Sequence, residues 1–205
     1  MPIDTLFATQ IYHAPLGGRA TLPFVRQLQR ECQQIRTDDT AGQRWSRHRY
    51  PGGYTSYGSV HRLHQTSTTF AQLERRLRRH VAKFTEALEL DLTHRELVMT
   101  DCWINIMPTG VVHSLHLHPL STLSGTLYLR VPRGAPGLKL EDPRLDRFMA
   151  APPRRADAAR ANQCWVTLPA RVGDIVMFES WLRHEVPPNT AAGERVSVSF
   201  NYGWF

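Results

Sequence analysis

Hydrophobic and polar positions divide this chain into two unlike halves, and the period changes near residue 98. In the first half apolar residues recur at helical steps. Leu22, Val25, Leu28, Cys32 and Ile35 are spaced by three or four, which predicts a helix from Leu22 to Ile35. Thr21 reads as its N-cap, and Pro23 fits the first turn. Before it, residues 1–16 read as an extended leading segment, with Leu6, Phe7, Ile11 and Tyr12 as apolar points and Gly17-Gly18 as its break. The clearest stripe is Phe70, Leu73, Leu77, Val81, Phe84 and Leu88. It predicts a helix from Thr69 to Glu89 that packs on a sheet, opened by a Thr69/Gln72 capping box. Arg75, Arg76, Arg78, Arg79 and Lys83 form its opposite, solvated face. Residues 37–66 show no period. They read as a long polar connector, with Arg44–Ser59 also a candidate wall of a substrate mouth, because aromatics and hydroxyls are interleaved with glycines there.

From Val98 onward the segments are short and strand-like: Val98–Met107, Val111–His118, Leu123–Val131, Leu138–Glu141, Cys164–Leu168, Asp174–Phe178 and Arg195–Tyr202. Turn residues separate most of them. Helices first and strands after predict a mainly β, α+β fold with helices packed on one sheet of a jelly roll. The whole chain, 1–205, reads as one domain: a helical and loop support over 1–97 and a jelly-roll core over 98–205. Residues 143–162 interrupt the strands as a candidate lid.

Composition changes this picture little. The 205 residues suffice for one sizeable core. No apolar run is long enough to span a membrane, and the first residues lack the pattern of a signal peptide, so the expected location is cytoplasmic. Cys32, Cys102 and Cys164 are far apart and form no CxxC pair or disulfide framework. The formal charge is +7, but the basic residues are scattered, and all except Lys83 and Lys139 are arginine. No nucleic-acid motif accompanies them, so no nucleic-acid partner is expected. An attraction for anionic substrates is.

Candidate chemistry gathers at His113-Ser-Leu-His116-Leu-His118. Strand residues two apart leave one face, so His116 and His118 can share a metal ion. His184, past a later strand, is the best third ligand. Imidazole suits zinc, iron, nickel and copper, and no thiolate pair is offered for a structural zinc site. Arg195 opens a strand in which Arg195, Ser197 and Ser199 alternate to one face and Val196, Val198 and Phe200 to the other. An inward arginine beside a metal, with a hydroxyl two residues on, is a carboxylate receptor.

These residues resemble a family. Trp103-Ile-Asn105, Gly110, His113 to Pro119, Ser124-Gly125 and Tyr128-Leu129 are similar to a group of 2-oxoglutarate/iron(II)-dependent oxygenases. So are Asp142-Pro143-Arg144, Gly173-Asp174, Phe178, Ser180-Trp181-Leu182, His184, Pro188-Asn189 and Arg195-x-Ser197-x-Ser199-Phe200-Asn201. The resemblance covers 98–202. It implies a double-stranded β-helix (jelly-roll) core, Fe(II), 2-oxoglutarate as cosubstrate and dioxygen. It implies His116, His118 and His184 on the iron, and Arg195 with Ser197 on the far carboxylate. Tyr128 and Asn105 are expected as further cosubstrate contacts. The wider superfamily has a carboxylate where this chain has His118. His113 could replace one of the pair if a bulge intervenes, or Asp101 or Asp142 could join.

The expected function is therefore an Fe(II)/2-oxoglutarate-dependent dioxygenase acting on a small molecule, amino acid or peptide side chain. Hydroxylation is the default, with desaturation or cyclisation as alternatives. Tyr54, Ser56, Arg144, Trp181 and His113 are the candidate substrate contacts. A cupin-like three-histidine metalloenzyme without 2-oxoglutarate and a non-catalytic jelly-roll binding module are the competing readings. No membrane partner is expected, and a homodimer is compatible.

Overall fold

A computed structural model describes residues 3–18 and 21–205. In chain order the elements are β1 (Tyr12–Pro15), α1 (Thr21–Asp38), α2 (Thr40–Arg49), β2 (Tyr54–Thr55), α3 (Leu63–Thr66) and α4 (Thr68–Ala87). They continue as β3 (Leu97–Met107), β4 (His113–His116), β5 (Leu123–Arg130), β6 (Leu138–Glu141), β7 (Trp165–Leu168), β8 (Asp174–Glu179), β9 (His184–Val186) and β10 (Arg195–Trp204). The strands form two antiparallel sheets: a major sheet in the order β1-β8-β5-β10-β3-β2, and a minor sheet in the order β4-β9-β6-β7. Strands β3, β5, β8 and β10 lie in the major sheet, and β4, β6, β7 and β9 in the minor one. The chain crosses repeatedly from one sheet to the other, and this is the jelly roll expected from the strand pattern.

Side chains alternate across each major strand, so the sheet serves two cores. Ile104, Ile106, Leu127, Leu129, Ile175, Met177, Val196, Val198 and Phe200 face the helices, where they meet Val25 and Leu28 of α1 and Phe70, Leu73, Leu77 and Phe84 of α4. Met107, Tyr128, Val176 and Phe178 face the minor sheet, where they meet Leu138, Leu140, Leu168 and Val186. The α4 stripe therefore packs as its spacing predicts. Its start does not. Ser67 is the cap, accepting from the Phe70 amide, while Thr69 is buried and accepts from Gln27. Thr21 likewise lies inside α1, and its hydroxyl donates to the Gly17 and Gly18 carbonyls.

The main departure is residues 37–66, which are not a loop. They hold α2, β2 and α3. Helix α2 buries only Gly42 and Ser46, so its inner face is made of small residues and carries no apolar period. Asp39 caps it and ties it to the segment that follows. The carboxylate accepts from the Gly42 amide at 2.8 Å, from the Tyr54 hydroxyl at 2.9 Å and from the Ser59 hydroxyl. The hydroxyls here are staples. Ser46 Oγ exchanges hydrogen bonds with both backbone groups of Thr55, and Ser56 Oγ accepts from the Ile104 amide and donates to the Val60 carbonyl. Residues 143–162 do interrupt the strands, as two short 3-10 turns with mostly exposed side chains. Among the described residues no helix is long and apolar enough to cross a membrane.

Asp39→Ala removes a helix cap and leaves the Tyr54 hydroxyl without its acceptor. Loss of the cap and of that bond should together destabilise the protein by about 2 kcal/mol, read as a lower urea midpoint at unchanged slope.

Candidate metal centre

Strands β4 and β9 bring the histidines together. His116 lies opposite His184, and His113 opposite Val186. Ser114 and Leu115 of β4 therefore lie opposite Glu185 alone of β9, which is a bulge. The strand ends at His116, and the chain turns so that the His118 amide donates to the Ser180 carbonyl at 3.0 Å. Same-face alternation along one strand is thus not what pairs His116 with His118; a bulge and a turn do it. Ring centroids are 4.3 Å apart for His116 and His184, 5.1 Å for His118 and His184, and 5.2 Å for His116 and His118. One nitrogen from each lies within 4.8 Å of the others.

The other nitrogen of each ring is spoken for. His116 Nδ1 lies 2.6 Å from the Ser114 carbonyl, His184 Nδ1 lies 2.9 Å from the Leu182 carbonyl, and His118 Nδ1 lies 2.7 Å from Asn201 Oδ1. These oxygens only accept, so each Nδ1 carries the proton and each Nε2 presents a lone pair. Asn201 is oriented in turn by Ser124, whose hydroxyl donates to the same Oδ1 at 2.8 Å and meets Ser180 Oγ at 2.7 Å. Burial, reinforced by the neighbouring imidazoles, pulls His184 down to about 2 and His118 down to about 4. His116 is lowered too, also by burial. The triad is neutral, as ligands must be.

Among the described residues no carboxylate completes the set. Asp142 is engaged by both Arg144 nitrogens, Asp101 accepts from the Thr100 hydroxyl, and neither lines the pocket. His113 stays outside the cluster although the bulge exists. It stacks on His116 with centroids 4.6 Å apart and planes 14° from parallel, and packs against Tyr50. Three imidazoles without thiolates fit iron, nickel, copper or zinc, and they leave room for further ligands.

The same pocket ends at Arg195, which lines it with Ser197, Ser199, Asn105, Trp103, Thr126 and the histidines. Arg195 is 2% exposed. Its described polar contacts are the Pro136 carbonyl at 3.2 Å, the Ser197 hydroxyl at 3.4 Å and the Met107 sulfur at 3.7 Å. None is acidic, and among the described residues no acidic side chain lines the pocket. Its guanidinium lies 5.0 Å from the centre of the Tyr128 ring. The Tyr128 and Tyr50 hydroxyls are both buried without a partner. Burial raises both phenols above their usual range, an effect that the charge of Arg195 partly offsets. A buried cation beside the Tyr128 ring, with no acid among its contacts, is built to receive an anion.

Residues 101–201, the span that carries this pocket, match the family model described as "Putative 2OG-Fe(II) oxygenase". These residues, just under half of the chain, match the 2OG-Fe(II) oxygenase family. A comparison with curated protein sequences gives no match. Solved structures of the same fold include a Pseudomonas putida prolyl-4-hydroxylase, with 17% identity over 95% of this chain and 92% of that one and a TM-score of 0.59. The epimerase SnoN, crystallised with Fe3+, alpha-ketoglutarate and nogalamycin RO, is 15% identical over 96% and 79%, TM-score 0.64. HygX from Streptomyces hygroscopicus, with nickel and 2-oxoglutarate bound, is 14% identical over 96% and 83%, TM-score 0.62.

In and around this pocket the expected contacts divide. His116, His118, His184, Arg195 and Ser197 converge on one pocket, and His113 lines it. Tyr128 stands beside Arg195. Asn105 also lines the pocket, but its amide is best satisfied by the protein. Its oxygen accepts from Trp103 Nε1 at 3.2 Å and from Ser199 at 3.0 Å, and its nitrogen donates to Thr55 Oγ1 at 2.9 Å. It positions Trp103 rather than meeting a cosubstrate. Tyr54 and Ser56 are buried staples, not substrate contacts. Arg144 pairs with Asp142 outside the pocket, and Trp181 is an exposed turn residue that does not line it. Sequence reasoning placed Tyr50 and Tyr57 only within the candidate wall Arg44–Ser59, and Trp103 and Asn201 only among the residues of the resemblance, with no individual role. Asn201 could have been found, since it continues the alternation of Arg195, Ser197 and Ser199.

Asn201→Leu removes the acceptor that fixes the His118 tautomer. Metal affinity should fall roughly 10- to 100-fold in competition titrations against a chelator. The metal-free protein should be most stable above about pH 6.5, the ordinary histidine value. These imidazoles resist protonation when folded and accept it when unfolded, so the urea midpoint should drop steadily as pH falls below that value.

Proposed function

We propose that this protein is an Fe(II)- and 2-oxoglutarate-dependent dioxygenase that hydroxylates a small molecule, an amino acid or a peptide side chain. The observation that carries the reading is the shared pocket: three neutral imidazoles at one end and an acid-free buried guanidinium at the other. His116, His118 and His184 would hold the iron. Arg195 would take the far carboxylate of 2-oxoglutarate through its planar fork, with Ser197 and the orphan hydroxyl of Tyr128 as further donors. When bound, iron and the 2-oxo acid supply the oxidising chemistry with dioxygen.

The chain's own part is to bind, orient and exclude water. Nδ1 protons held by Ser114, Leu182 and Asn201 aim the Nε2 lone pairs inward. Phe178, Leu138 and Val186 supply an apolar wall. A divalent metal on three neutral ligands, with Arg195 beyond it, leaves positive charge for a dianionic cosubstrate to offset, which suits a site without a carboxylate. A three-histidine enzyme that ignored 2-oxoglutarate would have no use for a buried Arg195 at the end of its pocket. In this reading residues 1–205 act as one cytoplasmic unit, with the helices of the first half as support for the sheet.

Iron-loaded protein should bind 2-oxoglutarate anaerobically and form succinate in air. Protein that does neither would overturn the reading. Arg195→Ala should weaken 2-oxoglutarate binding by about 2–5 kcal/mol in anaerobic calorimetry, because it removes the partner of a buried charge, while metal affinity measured without 2-oxoglutarate is not reduced.

A further inference from the structure

Residues 54–61 reach the metal centre through a side chain that is not one of their buried hydroxyls. Tyr57 is 49% exposed, and its ring lies 5.1 Å from that of Trp103, at 63°. Trp103 lines the pocket, and its ring lies 5.6 Å from that of His118. Together they form an aromatic corner that runs from the surface to a metal ligand.

The corner is rigid. The Tyr57 amide donates to Thr55 Oγ1 and the Ser59 amide to the Ser56 carbonyl. Gly58 lies against Trp45 so closely that a Cβ there would come within 2.4 Å of the indole. Asn105 holds Trp103 by its indole N–H. A solvent-exposed tyrosine normally gains nothing from such a mount. A preordered one binds a ring without the entropy cost of arranging the wall.

Charge narrows the ligand. Among the described residues no acidic side chain lines the pocket, and Arg195 with a divalent metal makes it positive. The aromatic faces would attract a cation, but the rest of the site would repel one. A flat ring, neutral or anionic, stacks on one aromatic and meets the edge of the other.

We propose that Tyr57 and Trp103 form a ring-recognition corner, and that the substrate presents a flat aromatic or heteroaromatic ring, neutral or anionic, against it. The proposal rests on the oxygenase reading for the word substrate, but its test does not need turnover. Protein loaded with Ni(II) and 2-oxoglutarate is titrated by calorimetry with phenylacetate, 4-hydroxyphenylacetate and indole-3-acetate, and with the saturated counterpart cyclohexylacetate. The best flat ring should bind at least about tenfold tighter than cyclohexylacetate, and Tyr57→Ala should remove about tenfold of its affinity. Because Tyr57 is exposed, that variant should fold, and its unchanged affinity for 2-oxoglutarate will show that it has. Trp103→Phe, which keeps a ring, should lose less than Trp103→Ala.

The corner is overturned if cyclohexylacetate binds as tightly as the best ring, if no ring binds, or if Tyr57→Ala leaves ring affinity within about twofold. If ring binding depends on Tyr57 while 2-oxoglutarate neither binds nor is consumed, the corner stands and the oxygenase reading fails. Succinate formation without ring binding gives the reverse.

Discussion

A guanidinium sealed inside a protein without an acid beside it costs several kcal/mol unless something compensates it. The fold is arranged to hold Arg195 in that state. Its Nε is turned toward the Pro136 carbonyl, and its plane lies near the Tyr128 ring. The turn that delivers it is locked by Asn189, which donates to the Met107 and Gly193 carbonyls and accepts from the Ala191 amide. Apolar packing on both faces of the major sheet supplies the stability that such a residue consumes. The helical half of the chain therefore contributes to the pocket although it supplies none of the pocket's metal ligands.

Strand β10 shows how closely stability and function are joined. Val196, Val198 and Phe200 pack on the helices, while Arg195, Ser197 and Ser199 line the pocket and Asn201 orients His118. A one-residue slip would exchange the two sets. Pairing on both sides, with β3 and with β5, fixes the register. Gly125 helps to hold it, since any Cβ there would strike the Phe200 ring and the Val176 carbonyl. The pattern Ser124-Gly125 thus combines a hydroxyl that orients Asn201 with a glycine demanded by packing.

This dual use explains what could be read from the sequence. Alternation in β10 and the stripe of α4 are signals of burial, and burial is what the fold required of them. The pocket residues stood out because imidazoles and an arginine at strand spacing have few structural uses. Residues 37–66 were opaque for a physical reason. Helix α2 packs through Gly42 and Ser46, and small residues leave no hydrophobic period. Tyr54 and Ser56 looked like substrate contacts because hydroxyls among glycines resemble a binding loop. They instead satisfy Asp39 and the Ile104 amide, leaving Tyr57, half-exposed and packed on Trp103, as the ring of that segment nearest the pocket lining. Strand β9 was too short to register, and the β4 bulge belongs to pairing geometry that no single segment encodes.

Having histidine at position 118 has a consequence for how the site fills. A carboxylate there would bring one negative charge of its own. His118 brings none, and its Nδ1 proton goes to an amide oxygen rather than to an acid. At the other end Arg195 adds a positive charge with no acidic contact. The negative charge that balances both must arrive with a ligand. A dianion spanning the pocket would cancel the guanidinium's charge at one end and offset part of the metal's at the other. Metal and dianion then each raise the other's affinity by the same factor, as linkage requires. That coupling should exceed what a histidine-and-carboxylate site would show, because here the protein itself has supplied less of the charge.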